Sequence, residues 1–287
     1  IISALAFFCA CADRQSQTPE TSIDRPALLA RNNPYITEFD SLASLTVGNG
    51  EFAVTVDATG LQTFPERYSK GVPLGTQSQW GWHSFDNPQN LRHEETLKEY
   101  DFGHGHKELY AVQFNEDGRQ KEAADWYRIN PHRLHLGIIG LELDENTTPD
   151  SFTEIKQTLE LERGIICSNY KLNGSPVDVS TCVHPQKDML AAQIHSPLKP
   201  AVKLRFPYPT GGHADDACDW NSNDKHHTEV ITQTSSSALL KRTLGETNYF
   251  VLVEWEGNAK MAEKEKNYFV ISPADENFAF TVAFVSA

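Results

Sequence analysis

Residues 154–196 constrain the fold of this chain most. They read EIKQTLELERG, IICSNYKL, NGSP, VDVSTCVH, PQKD and MLAAQIHS, which is four strand-like runs separated by short turns rich in Gly, Pro and Asn. Such a pattern predicts an antiparallel meander. Further strand patterns occur at residues 52–56, 201–206, 227–234, 238–244, 249–255, 268–272 and 278–285. A dozen or more strands without a repeat of fixed period predict an all-β fold, a large antiparallel two-layer β-sandwich.

Residues 88–130 interrupt the strand pattern with a long polar excursion. The segment is rich in His and Glu but also contains aromatic residues, among them Tyr100, Phe102, Tyr110 and Trp126. It is either a flexible insertion or a structured functional rim, and the aromatic residues favour the rim because disordered segments contain few of them. Residues 94–100 and 259–266 are the short candidates for helices.

The two ends of the sequence predict an exported protein that continues beyond this chain. Residues 1–12, IISALAFFCACA, have the pattern of the second half of a secretory signal. Cys11 follows a small residue at its end and is a candidate for lipidation. We therefore expect export to the periplasm or outer membrane of a Gram-negative bacterium, with membrane contact only through a lipid anchor. Residues 13–30 are then a polar linker and residues 31–287 one sandwich domain, and the strand pattern at the C-terminus predicts a further domain.

The net charge of the chain restricts its partners. With 39 acidic residues against 25 Lys and Arg, the formal charge is −14. Nucleic acids and anionic membrane surfaces attract basic proteins, so neither is an expected partner.

The segment LGTQSQWGWHSF, residues 74–85, contains the first candidate binding residues. Trp80 and Trp82 are two positions apart, so on an extended chain both rings would point to the same face, with His83 on the other. Sugars stack their apolar faces on aromatic rings and bond their hydroxyl groups to polar side chains. The pattern therefore predicts a carbohydrate-binding surface, and the alternative is that both rings belong to the sandwich core.

Two other segments supply further candidates for carbohydrate contact. In NPHRLHLG, His132 and Arg133 directly precede a strand, where they could contact substrate or a partner domain, or could hold a structural loop together. Trp220, near the turn-rich sequence FPYPTGG, could be a second sugar platform or a packing residue. His104 and His106 with Asp101 form only an unspecific metal pattern, so no metal is predicted.

The sequence contains no recognisable catalytic motif. With 39 acidic residues, no carboxylate pair with the roughly 6.5–9.5 Å separation of an inverting glycosidase can be chosen. A serine-nucleophile elbow, a phosphate-binding loop and zinc-type cysteine spacing are also missing, and no cofactor is implied. If NGSP is a four-residue loop, Cys167 lies opposite Cys182 in neighbouring strands. A two-residue Asn173-Gly174 turn would place Cys167 opposite Ser180 instead.

Several segments together resemble one family. These are LTVGNGEFAVTV, TGLQTF, PLGTQSQWGWHSF, RINPHRLHLGIIGL and the meander. They are similar to the N-terminal β-supersandwich domain of bacterial six-hairpin glycosidases, which are related to maltose phosphorylase, glucoamylase and inverting α-fucosidase families.

The resemblance has consequences for function. It implies that an (α/α)6 barrel follows in the same polypeptide and carries the catalytic acid and base. This chain would then be the non-catalytic N-terminal domain of an exported glycoside hydrolase, bracing the barrel and lending rim residues to a site for an oligosaccharide or glycan. The alternatives are a free-standing carbohydrate-binding module and a self-contained enzyme similar to aldose epimerases.

Overall fold

The computed structural model describes residues 23–213 and 216–287. The predicted signal segment, the lipidation site Cys11 and residues 13–22 of the predicted linker lie outside the described residues. The rest of that linker contains a short helix, Arg25–Ala30, whose first turn is capped by Asp24. None of its residues is buried.

Strands dominate the described part of the chain. In chain order they are β1 Tyr35–Ile36, β2 Leu45–Gly48, β3 Phe52–Val56, β4 Thr76–Ser78, β5 Trp82–His83, β6 Leu97–Asp101, β7 Lys107–Ala111, β8 His132–Arg133, β9 Ile138–Glu142, β10 Phe152–Glu160, β11 Ile165–Leu172, β12 Ser175–Val183, β13 Met189–His195, β14 Ala201–Arg205, β15 Tyr208–Pro209, β16 Cys218–Asp219, β17 His227–Gln233, β18 Ser237–Leu244, β19 Thr247–Trp255, β20 Ala259–Glu265, β21 Tyr268–Pro273 and β22 Asn277–Ser286. The α-helices are α1 Arg25–Ala30, α2 Pro65–Tyr68 and α3 Arg119–Ile129, and two 3-10 helices span His93–Thr96 and Pro149–Ser151.

The main layer is a nine-stranded antiparallel sheet in the order β1-β10-β11-β12-β13-β22-β19-β18-β17. Within its strands buried and open residues alternate, as in β18, because successive side chains point to opposite faces. The four strands β10 to β13 are neighbours in sequence order, which is the predicted meander. The C-terminal strand β22 then lies in the middle of the sheet, between β13 and β19.

The second layer consists of a four-stranded sheet, β20-β21-β14-β9, and a three-stranded sheet, β2-β3-β4. Their inner side chains, such as Val54, Leu204 and Phe269, share one hydrophobic cluster with Val179 and Val251 of the main sheet. Burial of apolar surface between the two layers is the main stabilising term for such a sandwich. The predicted all-β, two-layer antiparallel sandwich is confirmed.

The two predicted helices are wrong, and the three α-helices that the structure contains within the described residues were not predicted. Ala259–Glu265 is the edge strand β20, because pairing with β21 overrides its weak helical pattern. In the other segment only His93–Thr96 is helical, as a 3-10 turn, and β6 follows it at once. The longest of the three is α3, which begins after Gly118 without a side-chain cap and buries Ala123 and Ala124.

The polar excursion at residues 88–130 is folded. It contains the 3-10 helix His93–Thr96, a hairpin formed by β6 and β7, and α3. Arg119 at the start of α3 forms an ion pair with Glu95 of the 3-10 helix, with 2.6 Å between Nε and Oε1. The segment is therefore a structured rim of the sandwich, the alternative that its aromatic residues favoured.

The turn between β11 and β12 decides the position of the cysteines. Asn173 and Gly174 both have positive φ, +50° and +82°, and Leu172 lies opposite Ser175. This is a two-residue hairpin turn, for which Asn-Gly is the preferred sequence. Cys167 consequently lies opposite Ser180, so the prediction that it faces Cys182 is wrong. Both thiols are unbonded.

Candidate functional site

Strands β5 and β8 bring the two main groups of candidate residues together. The two short strands pair antiparallel, with Trp82 opposite Arg133 and His83 opposite His132. Residues about fifty positions apart in the sequence thus form one small two-stranded sheet. Directly opposed side chains in such a pair lie on the same face, so Trp82 and Arg133 share one face and the two imidazoles share the other.

Trp82 and Arg133 form the open face of this small sheet. The Arg133 Cζ atom lies 4.4 Å from the centroid of the Trp82 ring, which is a cation–π arrangement. Arg133 Nη1 donates to the Ser78 carbonyl oxygen at 2.6 Å, and Trp82 Nε1 donates to the Gln79 carbonyl oxygen at 2.9 Å. These contacts fix the orientation of the indole, yet 46% of Trp82 remains exposed.

Trp80 does not share that face, so the predicted pair of rings is wrong as a single platform. Residues 79–80 form a turn rather than extended chain. Trp80 is partly buried against the hydrophobic core, with its ring centroid 5.8 Å from that of Tyr249. Its Nε1 donates to the Asp188 carboxylate at 2.6 Å. Trp80 therefore packs and anchors this segment, while Trp82 is open to solvent.

His83, which is buried, and His132, which is half-buried, form a pair beneath the open face. Their ring centroids lie 5.4 Å apart, and Phe85 packs against both rings. His83 Nδ1 lies 2.9 Å from the Thr247 hydroxyl. Burial lowers the pKa of His83, and the neighbouring His132 lowers it further. Two adjacent imidazoles with little solvent are thus held in their neutral forms.

His132 has one polar atom without a partner. Its Nδ1 donates to the Ile129 carbonyl oxygen at 2.8 Å, so in the neutral ring Nε2 is an unprotonated acceptor. That Nε2 is buried and has no hydrogen-bond partner among the described residues. Burial lowers the pKa of His132, although the bond to Ile129 opposes the shift.

Asn130 connects this pair of strands to helix α3. Its side-chain oxygen accepts from the Phe85 backbone N–H at 2.6 Å, and its side-chain nitrogen donates to the Trp126 carbonyl oxygen at 2.9 Å. The Asn130–Pro131 peptide bond is cis. Asn130 is itself buried, so the end of α3 and the start of β8 have a fixed position relative to Phe85.

A cleft of about 690 Å³ lies between α3, the chain after β5 and the loop after β15. Its apolar wall includes Pro88, Leu91, Trp126 and Ile129, and its polar rim includes Glu122, Asp125, Arg128 and His213. Gly211 in the loop lies close to both Ile129 and Phe85, so the Phe85 ring, which packs on both imidazoles, is next to a wall of the cleft. The volume lies in the usual range for small-ligand sites.

Three polar side chains of the cleft form hydrogen bonds or ion pairs with other side chains. Arg128 Nη2 donates to His213 Nε2 at 2.7 Å. Asp125 accepts from Lys121 Nζ at 2.6 Å and also from the side-chain amide of Gln113. Trp126 Nε1 donates to the Asp86 carbonyl oxygen at 3.1 Å. In the sequence, the aromatic residues of the excursion at residues 88–130 were the signal for this cleft. That the excursion meets the loop containing His213 depends on the fold.

Trp220 contacts a different group of side chains. The Arg205 Cζ atom lies 5.2 Å from its ring centroid, and the His135 ring packs edge-on at 5.8 Å. Arg205 Nη2 also donates to the Trp220 carbonyl oxygen at 2.8 Å. His135 bonds to the Leu74 carbonyl oxygen and burial lowers its pKa. Trp220 is half-buried in this packing cluster, so the geometry gives it a structural role.

Residues 23–213 and 216–287 contain no group of three or more His, Cys, Asp or Glu side chains placed to hold a metal ion. In the same part of the chain, none of the helices has the length and apolar character needed to cross a membrane.

Comparisons with known proteins give similarity of fold. No protein-family model and no curated protein matches the chain. A solved structure described as a putative kojibiose phosphorylase from human microbiome is similar over 88% of this chain and 32% of its own, with a TM-score of 0.46 and 8% identity. The crystal structure of a 4-alpha-glucanotransferase from Thermococcus litoralis is similar over 91% of this chain and 41% of its own, with a TM-score of 0.30 and 12% identity.

This chain therefore spans about a third of the first structure and two fifths of the second. TM-scores below 0.5 do not by themselves support a shared activity.

Proposed function

We propose that this chain is a non-catalytic β-sandwich domain of an exported carbohydrate-active enzyme, most simply a glycoside hydrolase. In this proposal it braces a catalytic (α/α)6 barrel in the same polypeptide and contributes side chains to a carbohydrate site. The barrel and its acid and base are inferred from the resemblance of residues 30–287 to six-hairpin glycosidases. Export and lipidation at Cys11 are inferred from residues 1–12.

The observation that carries the proposal is the exposed indole of Trp82 held beside Arg133. A sugar ring can stack on the part of the indole that is open, since 46% of the residue is exposed. Of the five N–H groups of the Arg133 guanidinium, one bonds to Ser78 within the described residues. Because the guanidinium lies over one face of the Trp82 ring, its other N–H groups are close enough to donate to the hydroxyl groups of a sugar that binds at the indole.

The cleft beside Trp126 supports the same proposal. An apolar wall with a rim of amide, carboxylate and guanidinium groups suits a neutral saccharide, which has both apolar faces and many hydroxyl groups. Phe85 packs on the His83–His132 pair and lies next to Gly211 of the cleft, so the cleft and the Trp82 face flank the same two short strands, β5 and β8, from opposite sides. This region is the rim that we propose for carbohydrate contact.

The test compares the chain alone with the natural gene product that contains it. We expect turnover of α-glycosides or oligosaccharides only by the longer protein, and we expect Trp82→Ala in that protein to raise KM. Leu42→Lys is a matched control, because Leu42 is 72% exposed and lies outside the rim. Turnover by the chain alone, abolished by one carboxylate substitution, would contradict the non-catalytic role, and an unchanged KM would contradict the role of Trp82.

A free-standing carbohydrate-binding module is the second candidate, and the exposure of Trp82 favours it equally. It predicts that the isolated chain binds saccharides on a glycan array and that the gene encodes no barrel. An epimerase-like enzyme would need a His and a carboxylate free to move protons. In the cleft His213 is bonded to Arg128, and Asp125 to Lys121 and Gln113, which opposes that use. Mutarotation of glucose by the chain would reverse this argument.

A further inference from the structure

The hairpin formed by β6 and β7 projects from the described fold as an isolated two-stranded sheet. Its strands pair with each other and with no other strand of residues 23–213 and 216–287. Every residue of β7 is exposed, and so is all of β6 except the half-buried Leu97. Both long edges of the hairpin are therefore open to solvent.

The hairpin exposes more apolar surface than a solvated arm requires. Tyr100, Phe102, Leu109 and Tyr110 are 40%, 57%, 59% and 51% exposed. The rings of Tyr100 and Phe102 both pack on Tyr110, with centroids 6.0 Å and 5.9 Å apart. Isolated two-stranded hairpins are marginally stable in water, and large exposed apolar patches mark interaction surfaces. The hairpin thus has the properties of a surface that gains stability from a partner.

The hydrogen-bond pattern shows which backbone groups point outward. Phe102 N–H donates to the His106 carbonyl at 2.9 Å, and Val112 N–H donates to the Thr96 carbonyl at 3.0 Å. In an antiparallel ladder, hydrogen-bonded pairs alternate with non-bonded pairs. Leu109 and Glu99, which lie opposite each other, therefore form a non-bonded pair. The N–H and C=O groups of Leu109 and of its second neighbours consequently point away from β6, toward the open edge.

We propose that β7 pairs antiparallel with β7 of a second copy of this chain, across a two-fold axis at Leu109. The two hairpins then form one four-stranded sheet. The outward N–H and C=O groups of Leu109 bond to those of Leu109 in the other copy. Lys107 and Ala111 bond to each other's equivalents on either side of the axis. This proposal is independent of the carbohydrate function proposed above.

The charges on the two edge strands select β7 over β6. Pairing two β7 strands about Leu109 places Lys107 opposite Ala111 and Glu108 opposite Tyr110, so no like charges face each other. Pairing two β6 strands about their centre would instead place Glu99 opposite Glu99. Like charges directly opposite each other destabilise a sheet. Pairing β6 with β7 of another copy would not close, and would build fibres rather than a dimer.

The side chains also fit this arrangement. Tyr100 and Tyr110 are on one face of the hairpin, and the two-fold operation places both copies of Tyr110 near the axis on that face. The other face carries Leu109, which meets Leu109 of the second copy. The aromatic cluster and Leu109 would both lose exposed surface, which is the favourable term for association.

Sedimentation velocity of the full chain over a range of micromolar concentrations tests the proposal. We expect a monomer–dimer equilibrium, and we expect Leu109→Lys to remove the dimer because two ammonium groups would face each other at the axis. Leu42→Lys, at an exposed leucine outside the hairpin, should leave the dimer unchanged. A monomer at all concentrations, open-ended oligomers, or a dimer that survives Leu109→Lys would overturn the proposal.

Disulfide trapping tests the register itself. Opposed residues in a hydrogen-bonded antiparallel pair have Cα atoms about 5.5 Å apart, within the range of a disulfide. Leu109→Cys should therefore give a covalent dimer on mild oxidation. Glu99→Cys is the matched control on the same face, because three strand spacings of about 4.8 Å would separate its two copies by about 14 Å. Two outcomes would contradict this interface. In one, Leu109→Cys and Glu99→Cys give the same amount of covalent dimer. In the other, neither variant gives more covalent dimer than the unmodified chain.

Discussion

Replacing Trp82 by alanine should weaken saccharide binding with little effect on the fold. Trp82 is 46% exposed, so of the roughly 250 Å² that a tryptophan can bury, about 115 Å² is open. A pyranose stacked on the ring covers about half of this, roughly 60 Å², which at about 25 cal/mol per Å² contributes about 1.5 kcal/mol. Trp82→Ala should therefore raise Kd, or KM in the longer protein, about tenfold.

The same substitution at Trp80 should have the opposite profile. Trp80 packs on the core beside Tyr249 and donates to Asp188, so Trp80→Ala leaves a cavity and leaves the Asp188 carboxylate with Ser78 as its side-chain donor. We expect a loss of about 3 kcal/mol in the free energy of unfolding. Trp82→Ala removes the cation–π contact with Arg133 and the hydrogen bond to the Gln79 carbonyl oxygen, each of which contributes about 1 kcal/mol or less at an exposed site.

Isothermal titration with the saccharide that binds best on a glycan array, together with urea unfolding, separates the two effects. If both variants lose affinity and neither loses stability, Trp80 and Trp82 act as one platform and the structural distinction between them is wrong. If Trp82→Ala binds as well as the unmodified protein, the exposed indole is not a sugar contact.

Three further predictions follow from other parts of the fold. Burial and the guanidinium of a neighbouring arginine lower the pKa of His226 to about 3. In the unfolded chain this histidine binds its proton near pH 6.5. The free energy of unfolding should therefore decrease as the pH is lowered from 6.5, and His226 should account for a decrease of about 2 kcal/mol at pH 5. In the His226→Gln variant the decrease in unfolding free energy should be smaller by that amount. Equal pH dependence of urea unfolding in the variant and the unmodified protein would contradict this. Gly140→Ala should lower the free energy of unfolding by about 1–3 kcal/mol, because the new Cβ would lie 2.3 Å from a backbone oxygen. Gly75→Ala, which has open space around it, should leave the free energy of unfolding nearly unchanged in the same assay. Cys167 and Cys182 should both react with an alkylating reagent when the chain is denatured without a reductant. If neither thiol reacts, the two cysteines form a disulfide, which the strand register does not allow.

The sandwich could be predicted from local patterns because each strand of the main sheet signals itself. Alternation of buried and open residues in β12 or β18 follows from the pleat, and turns such as Asn173-Gly174 carry their own conformational signal. The failures are places where tertiary contacts outweigh a weak local preference. Ala259–Glu265 has little intrinsic preference for a strand and becomes one because β21 offers an edge. Helix α3 lacks a capping side chain, so its start gave no signal.

The sequence pointed to candidate residues one by one, but not to their arrangement. The chemistry of Trp82, His83, His132 and Arg133 was visible in two separate segments, whereas their pairing depends on a strand register that no local pattern encodes. For Trp80 and Trp82 the local pattern was misleading. A spacing of two residues places both side chains on the same face only if the chain is extended, and residues 79–80 form a turn. Side-chain type therefore predicted what could bind a sugar. Only the backbone path between those side chains determines which of them remain open to do so.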